Sequence, residues 1–324
     1  MTVRAIQLRR AGQARRAVQP RRRRQPGRPA KPKAGEQLAG WAFVTPAVAL
    51  IMLFGVVPVV WSAVMSFQRN NLFSPNTPFV GLSNYRQMLH DPVIGQAITH
   101  TIIYTALFVP GTMLVGLFLA VAMNRKLRFI SVYRTAAYAT MAISTISEAL
   151  VFIWLFDPSY GIVNYLFNLV GIPQQQFLNS TSEALYVIVI MTIWGWTGFA
   201  VVVYLAALQG IPQVLTEAAA IDGAGRWATF RRITLPLLSP ASLFLVVWLT
   251  INALQLFDEV YLSTQGGPLN SSTVLVYYLY EQAFGGANFN FGYASAIAYF
   301  LFVIIIVVTA IQFRVGRRLV HYRS

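Results

Sequence analysis

Apolar residues gather along the chain into six long runs, at roughly 38–67, 98–123, 134–156, 184–208, 241–263 and 293–313, parted by polar stretches. Each run reaches the roughly 20 residues that a helix needs to cross a bilayer. The pattern predicts an all-α membrane protein with six transmembrane helices. The 134–156 run is the weakest, because it contains Ser144, Ser147 and Glu148. The 241–263 run carries Asn252, Gln255, Asp258 and Glu259 in its second half. Pro46, Pro58 and Pro110 fall inside runs and predict kinks that neighbouring helices tolerate. One interruption stands apart from the others. The stretch Glu217 to Pro240, EAAAIDGAGRWATFRRITLPLLSP, is polar and basic between two very apolar runs.

Composition supports the membrane reading. Of 324 residues, 56% are hydrophobic and 11% charged, where a soluble domain carries about 25% charged residues. Mean hydropathy is +0.56. The net charge of +15 raises the question of nucleic acid, but the basic residues sit between apolar spans and form no basic domain, so no nucleic-acid partner is expected. Cysteine is absent, which excludes disulfides, zinc–thiolate sites and cysteine nucleophiles. His90, His100 and His321 show no ligand spacing, so no metal site is expected.

Charge also orients the chain. Residues 1–34 hold twelve of the 25 basic residues, with Pro, Gln and Gly between them. Such a segment buries too little apolar surface to fold and is expected to be disordered. The plain reading is a topogenic tail held near anionic lipid, at about 1 kcal/mol per basic residue. A specific partner or nucleic-acid site is the sharper alternative. An Arg-Arg export signal fails, since the following apolar run is too long and lacks an A-x-A cleavage site. With the tail placed in the cytoplasm, Arg125, Lys126, Arg128, Arg134, Arg226, Arg231, Arg232, Arg314, Arg317, Arg318 and Arg323 also fall inside. That leaves only Arg69 and Arg86 outside, a split of 23 to 2. Six helices with both termini cytoplasmic follow. The organisation expected is a tail, 1–34, and a transmembrane domain, 35–324.

The polar stretch then lies in the longest cytoplasmic connection, 209–240. Pro212 suits the first turn of a helix. Leu215, Ala218, Ala219 and Ile221 supply an apolar face up to Asp222, and Gly223 permits a left-handed turn. A second helix is predicted over about 224–233, with Trp227, Phe230 and Ile233 at helical spacing. Pro236 and Pro240 are expected to end it. A merely solvated loop has no use for Trp227 and Phe230.

This stretch resembles the EAA loop of binding-protein-dependent ABC importer permeases, E-A-A…D-G-A…F…I-x-L-P-L…P. The residues that carry the match are Glu217, Ala218, Ala219, Asp222, Gly223, Ala224, Phe230, Ile233, Leu235, Pro236, Leu237 and Pro240, preceded by Gly210 to Pro212. FVGLSNY (Phe79–Tyr85) and FDEVYLSTQGGP (Phe257–Pro268) are similar to carbohydrate-uptake permeases of the maltose and glycerol-3-phosphate types. The resemblance covers about residues 38–315. It implies a type I ABC importer permease fold in a bacterial inner membrane, with EAA coupling helices that insert into an ATPase subunit. It also implies the partners: a second homologous permease, two copies of an ABC ATPase carrying ATP and Mg, and an extracytoplasmic solute-binding protein. No cofactor is implied for this chain.

The residues agree with that division of labour. The only lysines are Lys31, Lys33 and Lys126, and none follows a glycine, so no G-x-x-x-x-G-K-[ST] phosphate loop exists. ATP hydrolysis, if it drives transport, needs another subunit. Candidate path residues are the polar ones within spans, which cost most in lipid: Ser144, Ser147, Glu148, Trp196, Asn252, Gln255 and Asp258. Asn252 and Gln255 share a helix face at a spacing of three and suit sugar hydroxyls, with Trp196 or Trp194 stacking on a ring. The plainer alternative for each is interhelical packing. Acids without a basic residue inside a span favour a neutral sugar or polyol, or a zwitterion, over an anion. A secondary transporter or channel using Glu148 and Asp258 is the competing class. It leaves the 217–240 stretch unexplained.

Overall fold

The structure, a computed structural model, describes residues 34–71, 76–124, 128–285 and 289–319. The expected disorder of the basic tail, the charges Arg125, Lys126 and Arg323, and the side chain of Arg318 lie outside the described residues. Chain contacts divide the protein into two compact units, up to Pro58 and from Val59 onward. In the first, α1 (Ala34–Ile51) contains Pro46 and runs into a π turn, Met52–Val56. The turn ends two residues before Pro58, which has no N–H to return to Phe54 and whose ring crowds that carbonyl. No residue of 41–58 is buried within the chain, although Trp41, Phe43 and Phe54 are among them.

The second unit starts within α2 (Val57–Ser66) and is helical almost throughout; the β pairing among the described residues is limited to isolated bridges, Gln68 with Phe79 and Asn71 with Asn290. A short helix, α3 (Ser83–His90), follows Gly81. Its buried Asn84 donates to the carbonyls of Ser66 (2.8 Å) and Gln68 (3.0 Å), and the Tyr85 hydroxyl donates to Ser66 Oγ at 2.9 Å. Asn84 thereby satisfies carbonyls left open where α2 ends.

The core is built on α4 (Pro92–Met123) and α8 (Ala184–Gln209), which pack closely along their lengths. Asp91 caps α4, accepting from the Val93 N–H at 2.9 Å. Small residues set the spacing between the two helices. A Cβ on Gly116 would lie 2.5 Å from Ala200 Cβ, and one on Gly111 would lie 2.5 Å from Ile193 Cδ1. Close approach of this kind is how helices gain contact where lipid removes the hydrophobic drive to associate. Tyr104, Phe108, Ile188, Met191, Leu245 and Leu249 fill the interior. Large apolar residues such as Phe118 and Phe302 face outward instead, as a lipid-solvated surface allows.

Among the described residues, four helices are long and apolar enough to cross a membrane, Trp41–Ser66, Pro92–Met123, Ala184–Gln209 and Phe291–Arg317, and two bent pairs raise the count to six when each is one span. The bends depart from the sequence expectation. The 134–156 run is not one helix. It divides into α5 (Ile130–Ala139, extended by a 3₁₀ turn to Ala142) and α6 (Thr145–Leu155), at 102° to each other. Ser144 is extended there (ψ 147°) and its Oγ accepts from the Ser147 N–H at 3.3 Å, so a serine cap starts a new helix where hydropathy showed one continuous run. Between them and α8 stands α7 (Ile162–Leu169).

The 209–240 connection holds α9 (Gln213–Ile221) and α10 (Arg226–Leu237), followed by α11 (Ser239–Leu254). Pro236 does not end the second helix near 233, as the sequence suggested. A π turn at Phe230–Thr234 takes up the lost hydrogen bond, and the break comes at Leu238, where α10 and α11 meet at 61°. Nor does α11 reach 263. It stops at Leu254, and Asp258–Ser263 forms a separate helix, α12. Two more helices follow among the described residues, α13 (Leu275–Tyr280) and α14 (Phe291–Leu319).

Candidate functional site

The α5–α6 bend and the far end of α11 open onto one cavity of about 410 Å³. Irregular backbone at membrane depth persists where it lines a cavity rather than lipid. Here the α5–α6 bend contributes Thr140, Met141, Thr145 and Glu148, and the end of α11 contributes Asn252, Gln255, Leu256, Phe257, Asp258 and Glu259. The continuous helices close the remaining sides with Tyr104 and Phe108 from α4 and Gly195, Trp196 and Phe199 from α8.

Five of the seven path candidates are brought together in this way: Glu148, Trp196, Asn252, Gln255 and Asp258. Ser144 and Ser147 are not among the lining residues. Their hydroxyls bond each other at 3.0 Å at the start of α6. Asn252 Nδ2 donates to the Trp248 carbonyl at 2.8 Å, and Gln255 is the capping residue just past the helix end. Trp196 stands in a run of rings, edge-on to Phe108 (6.4 Å between centroids) and to Phe199 (5.9 Å). Trp194 instead packs on Phe152, and Thr192 and Thr197 bond carbonyls one turn earlier in α8.

Glu148 is 8% exposed, and its Oε1 has no hydrogen-bond partner among the described residues. It rests on Gly195, where a Cβ would come within 2.5 Å of Oε1 and 2.6 Å of Oε2. Sequence reasoning missed Gly195, Tyr104 and Phe108. The signal available for Gly195 was a glycine between two tryptophans in an otherwise bulky apolar run. Among the described residues, no Lys, Arg or His lines the cavity. Among the described residues, no group of three His, Cys, Asp or Glu side chains is placed to hold a metal ion.

The second candidate region is the α9–α10 turn. Gly223 adopts φ +77°, with Ala224 N–H bonded to the Ala219 carbonyl (2.9 Å) and Gly223 N–H to the Ala220 carbonyl (3.1 Å), the bonding of a Schellman turn. Glu217, Ala218, Asp222 and Gly223 are exposed, Ala219 is buried, and Ala224 and Phe230 are half-buried. Phe230 stacks on Trp227 at 5.7 Å. Ile221 and Trp227 present large apolar surface, 87% and 72% exposed.

A third cluster ties the ends of three helices. The Asp91 carboxylate accepts from the hydroxyls of Tyr278 (2.6 Å) and Tyr293 (2.7 Å) as well as from Val93. Burial alone would raise the Asp91 pKa. These donors outweigh it and hold the group below its ordinary value of 3.8. Nearby, Leu275 N–H donates to Thr101 Oγ1 at 3.1 Å, and His100 Nδ1 pairs with the Thr273 carbonyl at 3.0 Å.

Comparisons with known proteins bear on both regions. The family described as "Binding-protein-dependent transport system inner membrane component" matches residues 112–321, which include the cavity's α8 and α11 walls and the whole α9–α10 turn. The lactose transport system permease protein LacF of Rhizobium radiobacter is 37% identical over 250 residues, covering 76% of this chain and 83% of that protein. The sn-glycerol-3-phosphate transport system permease protein UgpA of Yersinia pestis is 32% identical over 296 residues, 91% of this chain and 99% of that one. Among solved structures, a chain of a bacterial alginate ABC transporter in complex with alginate pentasaccharide-bound periplasmic protein shares the fold, with a TM-score of 0.79 at 23% identity over 90% of this chain and 98% of that chain.

Proposed function

The chain belongs to the family of binding-protein-dependent transport inner membrane components, and from that premise we propose that it is one half of the membrane pore of an ATP-driven importer for a sugar or polyol. A second homologous permease completes the pore. An extracytoplasmic binding protein delivers the solute, and two ATPase subunits, which hold ATP and Mg, dock at the α9–α10 turn. The termini and that turn face the cytoplasm, as the 23-to-2 distribution of basic residues supports. ATP chemistry belongs to the partner, because this chain has no glycine–lysine phosphate loop.

One observation carries the reading: the two helices that flank the exposed turn are also two walls of the cavity. α8 brings Gly195 and Trp196 to the cavity and then leads through Gly210–Pro212 into α9. α10 leads across the Leu238 bend into α11, whose far end presents Asn252 and Gln255, about 20 Å from its start at 1.5 Å per residue. Closure of the ATPase pair on ATP pushes the turn, and the flanking helices carry the displacement to the cavity. The pore changes from inward- to outward-facing, takes the solute from the binding protein, and resets on hydrolysis.

The cavity's chemistry supports a hydroxyl-rich solute. Trp196, Phe108 and Phe199 offer ring faces and edges to the apolar side of a sugar, and Asn252 and Gln255 offer amides to its hydroxyls. The similarity to UgpA favours a second reading, a phosphorylated polyol. No cationic side chain of this cavity would meet such a solute. Family membership does not favour a secondary transporter or channel working through Glu148 and Asp258. Reconstitution of the chain with its permease, ATPase and binding-protein partners tests the proposal. Uptake is expected with ATP and no ion gradient. Uptake driven by a gradient alone would overturn it.

A further inference from the structure

We propose that Glu148, seated on Gly195, sets the charge of the solute that the cavity admits: its carboxylate accepts a hydrogen bond from a hydroxyl or ammonium group and turns anions away. The inference rests on the transport reading and adds to it a residue that selects.

Glu148 is more than nine-tenths buried, yet its Oε1 has no donor among the described residues. A buried carboxylate oxygen left unpaired is costly, and in a membrane segment such a group is a functional candidate by default. The fold builds a seat for it. The 102° bend ends α5 and starts α6, placing Glu148 in the first turn of α6, where the helix N-terminus favours negative charge. Gly195 then leaves the space that the carboxylate fills. The missing partner is a donor, and the cavity that Glu148 lines holds no Lys, Arg or His to supply one. Asp258 and Glu259 line the same cavity and carry the same sign. They are not gathered with Glu148 into a cation-ligating group. What fits is a solute without negative charge that brings its own O–H or N–H to Glu148, with Trp196 beside its ring. At hydrogen-bond range in a partly dry cavity, like charges cost an anion at least about tenfold in affinity.

Glucose, glucosamine and glucuronate share a ring and differ in charge. Their binding to the assembled permease–ATPase complex in nanodiscs, without the binding protein, can be followed by tryptophan fluorescence. In the wild type, glucosamine is expected to bind at least as tightly as glucose, and glucuronate at least about tenfold more weakly. Glu148→Gln keeps the shape and removes the charge. It is expected to bring glucuronate to within about threefold of glucose and to abolish any advantage of glucosamine. Gly195→Ala displaces the carboxylate and is expected to weaken glucose and glucosamine together. The proposal is overturned if wild-type complex binds glucuronate as tightly as glucose, if Glu148→Gln leaves the ratio unchanged, or if none of the three binds. ATP-driven uptake measured alongside separates the two readings. If uptake persists while the charge ratio fails, this inference alone is lost. If uptake needs only an ion gradient, the importer reading is lost.

Discussion

Replacing Gly223 with alanine isolates the conformation of the α9–α10 turn from everything it touches. Its φ of +77° lies where an L-residue is strained, while a Cβ there would meet nothing within 4 Å. The whole cost is therefore backbone strain, about 1–2 kcal/mol for a residue with a Cβ in the left-handed region. Gly225 supplies the control. A Cβ there also meets nothing within 4 Å, and its φ is an ordinary −67°. If the ATPase docks only on the native turn, the strain lowers the docking-competent population by about 5- to 30-fold. Gly223→Ala is expected to reduce ATP-dependent uptake in proteoliposomes by that factor and to leave the binding protein's affinity for its solute unchanged. Gly225→Ala should transport like the wild type. Gly223→Asn should retain more uptake than Gly223→Ala, because asparagine tolerates the left-handed region. Equal uptake by the Gly223→Ala and Gly225→Ala proteins would refute the reasoning, since only one of them is strained.

Other expectations follow from single contacts. Gly116→Ala forces a Cβ to within 2.5 Å of Ala200 Cβ and 3.3 Å of its carbonyl carbon; overpacking of this kind costs about 1–3 kcal/mol, so the detergent-solubilised variant should melt at a lower temperature than the wild type. Asp91 has a lowered pKa in the folded state, so its stabilising contribution is present above the unfolded value near 3.8 and is lost as pH falls through the lower folded value. The melting temperatures of wild type and Asp91→Asn should therefore differ by a constant amount at neutral pH and converge below that range; a gap that widens in acid contradicts the hydrogen-bonded carboxylate. Asn252→Ala is expected to slow uptake or change its solute range while the complex elutes intact from a sizing column, and unchanged transport would remove Asn252 from the path.

The apolar runs were legible because hydropathy reports burial in lipid, and lipid faces most of these helices. The turn at Gly223 was legible for a different reason. A glycine just after Ala218–Ile221, with apolar spacing on both sides, has few structural meanings, and the Schellman bonds at Ala219 and Ala220 are one of them. Three features could not be read this way. Ser144 looks like one more small polar residue in a span until its ψ of 147° makes it a cap. Pro236 reads as a stop signal, because nothing local announces the π turn that carries the helix past it. The Asp91 knot joins residues separated by 187 and 202 positions, and no periodicity links an aspartate at one helix end to tyrosines on two later helices.

The two failures within spans have a common physical origin. A hydropathy window averages over a helix and treats a polar residue as a small deficit in an apolar sum. Backbone cost works differently: a helix that stops inside the membrane leaves carbonyls and N–H groups that need partners, so it stops only where protein or a cavity can supply them. Ser144 and Gln255 are such stops, and the segments beginning at Thr145 and ending at Glu259 line the same 410 Å³ space. Of the polar residues in 134–156 and 241–263, Glu148, Asn252, Gln255, Asp258 and Glu259 line the cavity, while Ser144 caps the helix that brings Glu148 to it. A broken helix is also a joint. The 61° bend at Leu238 lies between the exposed turn and the cavity-lining end of α11, so a push on α10 can swing α11 without compressing it. The α4–α8 pair, locked by Gly116 against Ala200, has no equivalent joint. Motion in this chain should therefore concentrate on α5–α6 and α10–α11 and leave α4–α8 as the frame, and hydrogen exchange during ATP turnover should rise at 142–146 and 236–240 before it rises at Gly116.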